Sequence, residues 1–244
     1  MTSDAGFMHF APVPDWPEVA PRRVVLGVQG RDTGGRLTLD AANGLRRASL
    51  ALERRDGQGG VDLGDIEADD DPVRAVTSLV MRAQQTGSLP TVIGGDDAVA
   101  SAVLAAFDGS PAICVAHRLR REVACGDALW LGLNGPQPAA LCETIQARGQ
   151  RFLTARAINA GTQPDWPEAA VLWLDAAALD IGHAAGAIED NPGGLVPDRI
   201  IALMSRWAGP VRAIVVTGAA PARDPRGLSE LALAAVCQGV LCHG

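Results

Sequence analysis

Three side chains that can bind a metal ion follow apolar, β-branched runs of the chain. Asp97 comes after a glycine pair behind one run, His117 lies two residues beyond another, and Asp175 ends a third. Two carboxylates and one imidazole suit a divalent cation, so together they form a candidate mononuclear site. Each also has a structural interpretation: Asp96 or Asp97 as a helix N-cap, His117 as a satisfied, partly buried histidine, and Asp175 as a hydrogen-bonded carboxylate.

Other reactive side chains give weaker signals. All 21 basic residues are arginines and the chain has no tyrosine, which excludes catalysis by lysine or tyrosine. The five cysteines contain no Cys-x-x-Cys pair and are interpreted as reduced thiols. No serine belongs to a recognisable nucleophile motif. Residues 27–30 lack the third glycine and later acidic residue of a dinucleotide-binding fingerprint.

The candidate ligands lie within a regular alternation of apolar runs and amphipathic segments. The runs lack strict period-two alternation, which is typical of strands covered on both faces. Predicted strands are residues 24–28, 61–63, 91–93, 112–115, 128–133, 151–154, 170–174 and 213–217, and predicted helices are 41–52, 73–83, 200–207 and 228–241. The pattern predicts an α/β fold, a three-layer α/β/α sandwich with a mainly parallel sheet of about eight strands.

Two segments differ in character from this alternation. Residues 1–20 are rich in proline around Trp16 and are predicted to form an extended arm, whereas residues 21–244 form a single domain. The acidic run 65–71 is interpreted as a solvated loop in which Asp71 caps the next helix, with Pro72 at its first position.

Composition limits the possible partners and compartments. The 244 residues are 48% hydrophobic and carry a formal net charge of −7, which argues against nucleic acid or an anionic membrane as partner. No run of eighteen apolar residues and no secretory signal is visible, so we expect a cytoplasmic protein without a membrane span.

Several segments, in order along the chain, resemble the ureohydrolase superfamily of arginases and agmatinases. Residues 90–97 (Pro-Thr-Val-Ile-Gly-Gly-Asp-Asp) are similar to the family's Gly-Gly-Asp-His segment, and 113–119 stand where Asp-Ala-His-x-Asp would be. Residues 174–180 (Leu-Asp-Ala-Ala-Ala-Leu-Asp) align with Asp-x-Asp-x-x-Asp and lead into the loop 191–195, Asn-Pro-Gly-Gly-Leu. The resemblance covers nearly the whole chain and implies an arginase-like fold.

The same resemblance implies that most of the family's metal ligands are missing. In that family two divalent ions, usually manganese, hold a hydroxide that attacks a guanidinium carbon and releases urea. The six ligand positions correspond to Asp97, Val115, His117, Leu119, Asp175 and Ala177, and Gly218 stands where the family has a substrate-engaging glutamate. Three apolar residues leave the charge of a binuclear centre uncompensated. We expect no catalytic residue and no cofactor, or at most one divalent ion at the vestigial ligands Asp97, His117 and Asp175.

These observations predict a catalytically inactive ureohydrolase-like protein with a structural or regulatory role. Its expected partners are further copies of itself or an active ureohydrolase paralogue. The alternative is a divergent hydrolase that acts on the C–N bond of a guanidino compound with one metal ion or none. A third interpretation is a small-ligand binding protein whose pocket uses Asp175, Asp180, His183 and Glu189. Metal content would separate the hydrolase from the other two.

Overall fold

Eight strands form one sheet in which each pair of neighbours is parallel, in the order β2-β1-β3-β8-β7-β4-β5-β6. In this computed structural model the described residues are 21–29, 40–50, 60–66, 72–120 and 126–241. The strands are β1 (Arg23–Val28), β2 (Val61–Ile66), β3 (Leu89–Gly94), β4 (Ala112–Val115), β5 (Ala128–Leu133), β6 (Arg151–Thr154), β7 (Ala170–Asp175) and β8 (Val211–Thr217). The predicted fold class is confirmed.

Helices cover both faces of this sheet. They are α1 (Ala41–Leu50), α2 (Pro72–Gln85), α3 (Asp97–Ala106), α4 (Ala139–Ala147), α5 (Ala155–Asn159), α6 (Pro197–Met204) and α7 (Leu228–Leu241). Helices α1, α5, α6 and α7 pack on one face, whereas α2, α3 and α4 pack on the other. Each face of the sheet has its own hydrophobic core, and alternate strand residues pack into one or the other. Leu172 and Leu174 belong to the core under α1, α5, α6 and α7, whereas Val171 and Trp173 belong to the core on the opposite face. Burial on both faces explains why the strands lack polar alternation.

The acidic run is not the fully solvated loop that its composition predicts. Asp65 belongs to β2 and is buried, since only 3% of its surface is exposed. Arg46 of α1 forms an ion pair with Asp65 and also pairs with Asp62. A cation from the covering helix therefore compensates the buried charge. Asp71 lies outside the described residues, and α2 begins at Pro72 as predicted.

The topology brings the ends of four strands together in the middle of the sheet. Strand β8 pairs with β3 on one side and with β7 on the other, and β7 pairs with β4. All four are parallel, so the segments that follow them emerge at the same edge of the sheet. No helix in the described part of the chain is long and apolar enough to cross a membrane.

Candidate functional site

The predicted metal-binding side chains converge at this central edge. Asp175 is the last residue of β7, and His117 lies two residues beyond β4, its neighbour in the sheet. Asp97 is the first residue of α3, which follows β3, and Asp96 is the N-cap because its carboxylate accepts a hydrogen bond from the Ala98 backbone N–H. Of the two aspartates proposed as a cap, Asp96 therefore has that role and Asp97 faces the site.

Asp175 is held by the turn that follows its strand. Its Oδ1 accepts a hydrogen bond of 3.0 Å from the Ala177 N–H and so caps the turn Ala176–Ala178. Gly218, which follows β8, has a φ of +77°. A Cβ atom at that position would lie 2.4 Å from Asp175 Oδ1. In this backbone conformation no side chain fits where the resemblance puts a substrate-engaging glutamate.

His117 lies between two carboxylates and only 2% of its surface is exposed. Its Nε2 is 3.0 Å from Glu189 Oε2, which is hydrogen-bond distance. On the other side its Nδ1 is 3.8 Å from Asp175 Oδ2. Both of these facing atoms are buried, and among the described residues neither has a hydrogen-bond partner. The imidazole is thus hydrogen-bonded to Glu189 and lies beside Asp175 without a hydrogen bond to it.

A fifth side chain, Arg120, enters the same group and was not singled out in the sequence. Its Nη2 donates a hydrogen bond of 2.8 Å to Glu189 Oε1. Its Nε lies 3.1 Å from Asp97 Oδ2, and Nη2 lies 3.9 Å from Asp175 Oδ2. One guanidinium therefore faces three carboxylates. We call Asp97, His117, Arg120, Asp175 and Glu189 the Arg120 cluster.

Electrostatics keep the central ion pair of the cluster charged. Burial lowers the pKa of Arg120, but Asp97, Glu189 and Asp175 outweigh that effect, so its pKa is raised above the ordinary value. Burial likewise favours a higher pKa for Glu189, but Arg120 and His117 outweigh it and its pKa is lowered. Arg120 and Glu189 are both ionised at neutral pH as a result.

The structure separates two of the predicted pocket residues from the cluster. Both carboxylate oxygens of Asp180 accept hydrogen bonds from loop backbone. Oδ1 accepts from the Gly182 N–H at 2.8 Å, and Oδ2 accepts from the Gly193 N–H at 2.7 Å. It therefore shapes the glycine-rich loop. The side chain of His183 is exposed on the same loop. Glu189 and Asp175 do meet, through His117 and Arg120.

One feature of the sequence could have indicated an arginine at this site. Arg118 and Arg120 follow His117 closely, in a segment that leads from a candidate ligand to the next strand. Arg118 also reaches Glu189, at 3.5 Å, but its side chain is 54% exposed against 16% for Arg120. The sequence cannot distinguish the two arginines, because which one turns inward depends on the backbone of the loop.

The residues present do not fit a binuclear metal centre. Three residues at positions that the resemblance assigns to metal ligands, Val115, Leu119 and Ala177, are buried in the hydrophobic cores. Within the described ranges, no group of three or more His, Cys, Asp or Glu side chains is placed to hold a metal ion. The Arg120 guanidinium would also repel a cation at Asp175 Oδ2, because Nη2 is 3.9 Å from that oxygen. Retention of a single ion at Asp97, His117 and Asp175 stays a prediction for ion analysis.

Comparison with solved structures identifies the fold. The agmatine ureohydrolase of Thermoplasma volcanium superposes with a TM-score of 0.75 at 19% identity, over 92% of this chain and 90% of that one. Arginase from Bacillus subtilis gives a TM-score of 0.75 at 14% identity, over 90% and 98%. An arginase-like protein of T. brucei, in a double-mutant form, gives 0.72 at 18% identity, over 93% and 92%.

These structures establish an arginase-like fold for the chain. Identities below 20% do not carry the activity with the fold. No protein-family model matches the sequence, and neither does any curated protein. Function must therefore be argued from the Arg120 cluster.

Proposed function

We propose that this chain is a catalytically inactive protein of the arginase and agmatinase fold, with a structural or regulatory role as a subunit. The observation that carries the proposal is the position of the Arg120 guanidinium among Asp97, Asp175 and Glu189. A carboxylate-lined site that serves a metalloenzyme must leave its charge for metal ions to compensate. Here a side chain of the protein supplies positive charge at the same edge of the sheet.

The packing of the residues at the other presumed ligand positions supports the same proposal. Val115 and Ala177 pack into one core cluster and Leu119 into the other. Their surroundings are apolar, so a return to a metal site would need more than an exchange of single side chains. A protein that keeps the fold without the metal site is expected to act through its interaction surfaces and not through catalysis.

Metal analysis combined with an activity assay tests this proposal. The full chain is purified, equilibrated with Mn²⁺, desalted and analysed for bound metal. Urea release is then measured over a panel of guanidino compounds, with an active arginase as positive control. We expect substoichiometric metal and no urea above background. Two metal ions per chain, or enzyme-dependent urea release, would overturn the proposal.

A pair of arginine variants tests the charge role of Arg120 directly. Arg120→Ala leaves three carboxylates without their shared cation, so we expect it to lower the free energy of unfolding by about 3 kcal/mol. Arg118→Ala is the matched control, because its exposed ion pair contributes about 1 kcal/mol or less. Urea denaturation of both variants measures the difference. Equal effects of the two substitutions would show that Arg120 is not the resident cation.

One observation favours the alternative, a divergent hydrolase that acts on the C–N bond of a guanidino compound. His117 is buried between Glu189 and Asp175, and neither its Nδ1 nor Asp175 Oδ2 has a hydrogen-bond partner in the described ranges. A histidine placed between carboxylates is a suitable general base. Urea release that persists after removal of all metal, and that is lost in His117→Gln, would favour this function over the inactive subunit.

A further inference from the structure

A cleft of about 310 Å³ lies next to the Arg120 cluster, at the carboxyl ends of β5 and β6. Leu119, Leu133 and Ile145 form its buried apolar base. Phe152 of the edge strand β6 lines it as well, with 47% of its surface exposed. We call it the α4–β6 cleft. Its volume falls at the lower end of the range for small-molecule sites, and its base is apolar as such sites usually are.

The charges around the cleft indicate the kind of ligand that it accepts. Arg156 lines the rim and its side chain is exposed. No described carboxylate pairs with Arg156, and the residues that line the cleft include no acidic side chain. Gln146 and Thr154 add further polar groups to the rim. A cation that has no partner among the described residues, above an apolar base, is complementary to an anion with an apolar body.

A carboxamide joins the cleft to the neighbouring cluster. Gln137 lines the cleft, and its Nε2 donates a hydrogen bond of 3.0 Å to the His117 carbonyl. Its Oε1 accepts one of 2.9 Å from the Leu119 N–H. Leu119 belongs to the base of the cleft and immediately precedes Arg120. A molecule in the cleft would thus contact the segment that carries His117 and Arg120.

We propose that the α4–β6 cleft binds a small monocarboxylate with an apolar body. The carboxylate pairs with the Arg156 guanidinium, and the apolar body packs on Phe152 and the buried base. The planar guanidinium matches a carboxylate through two parallel hydrogen bonds. This binding proposal does not depend on the proposed inactivity of the protein, because Arg156 and Phe152 lie outside the Arg120 cluster.

Binding is tested with 3-phenylpropionate on the full chain, with the uncharged 3-phenylpropanamide as comparison. Affinity is measured by titration calorimetry. Occupancy of the cleft itself is measured through Cys142, a half-buried thiol in its lining, by following alkylation of the Cys142 peptide by mass spectrometry. We expect saturable protection of Cys142 by the carboxylate and binding about tenfold weaker for the amide, because the amide lacks the charge-assisted pair.

Matched arginine variants complete the test. Arg156→Gln is expected to weaken 3-phenylpropionate binding about tenfold and to leave the amide unchanged. Arg148→Gln is the control, because Arg148 is exposed at the end of α4 and does not line the cleft. Circular dichroism confirms that both variants are folded. Equal affinities for acid and amide, equal effects of the two variants, or binding without protection of Cys142 would each overturn the proposal.

Discussion

Glu230 is a buried carboxyl group, and within the described part of the chain neither of its oxygens has a hydrogen-bond partner. It lies in the first turn of α7, packed against Gly44 of α1, and 2% of its surface is exposed. Burial is the largest effect and raises its pKa above the ordinary 4.5. The charge of Asp224 raises the pKa further, whereas the nearby backbone N–H of Glu230 itself and the charge of Arg47 act in the opposite direction. A carboxyl group in such surroundings is disfavoured in its ionised form.

The sign of its effect on stability follows from this shift. Because the pKa in the folded state is higher than in the unfolded state, the contribution of Glu230 is fully present below the unfolded pKa. It is lost as the pH rises through the folded pKa. We expect Glu230→Gln, which cannot ionise, to be more stable than the natural chain at pH 8 by about 1 kcal/mol. The advantage should disappear near pH 4.

Urea denaturation at a series of pH values measures this effect. Glu143→Gln is the control, since Glu143 is exposed on α4. If Glu230→Gln and Glu143→Gln change stability in parallel at all pH values, the burial of the Glu230 carboxyl has no energetic consequence and the interpretation is wrong.

At the scale of elements, a single arginine connects helix α1 to edge strand β2. Arg46 donates to both carboxylate oxygens of Asp62, at 2.6 and 2.8 Å, and to the Gly64 carbonyl at 2.9 Å. It also pairs with the buried Asp65. The planar guanidinium makes these contacts at once, which an ammonium group cannot do.

We therefore expect Arg46→Lys to destabilise the protein by about 2 kcal/mol, although the charge is kept, because Asp65 loses a partner in a buried position. Arg47→Lys, on the exposed side of the same helix, is the matched control and should change stability little. Thermal melting of both variants provides the measurement. If Arg46→Lys left the melting temperature unchanged, the contact between α1 and β2 would rest on apolar packing alone.

The elements themselves were largely predictable, and the exceptions have physical causes. All eight strands were predicted from apolar runs, since burial on both faces makes such runs nearly continuous. Helices α4 and α5 were not predicted, and α3 was anticipated only through the N-cap proposed at Asp96 or Asp97. Helix α4 buries only Ile145 fully, so its sequence carries little apolar periodicity, and α5 is five residues long. The predicted helix 200–207 begins earlier, at Pro197, which is favourable at a helix start.

At the scale of the whole molecule, we propose that the proline-rich arm of residues 1–20 contributes to assembly. It lies outside the described residues. The described chain begins at Pro21, whose carbonyl accepts a hydrogen bond of 2.6 Å from the Ser88 hydroxyl, so the point where the arm joins the domain is anchored. Restricted φ angles lower the entropy that a proline-rich segment loses when it docks.

Deletion of residues 1–20 tests this role. We expect the shortened chain to keep its fold and to lose self-association, or binding to an active ureohydrolase paralogue, because the deletion removes the large apolar side chain of Trp16. Sedimentation velocity of the full and shortened chains, alone and mixed with such a paralogue, measures the change. Trp16→Ala in the full chain is a second variant, and it should also weaken assembly. Unchanged assembly in both variants would contradict a role of the arm.

The sequence by itself determined the fold class, the strand positions and the approach of Asp97, His117 and Asp175 to one another. Strand patterns are local, and parallel strands in one sheet must end at the same edge, so residues that follow strands can be located without coordinates. The resemblance to the ureohydrolases also implied that Val115, Leu119 and Ala177 stand at ligand positions, and it follows from residue type that these side chains offer no donor.

Only the tertiary structure decided what the approaching carboxylates face. That Arg120 rather than Arg118 turns inward, that Glu189 reaches His117 across 72 positions of sequence, and that Asp180 is used within its own loop all depend on loop backbone. Loop conformation results from many weak, non-local contacts that leave no periodic pattern in the sequence. For the same reason the α4–β6 cleft, which combines residues of separate elements, was not foreseeable from the chain.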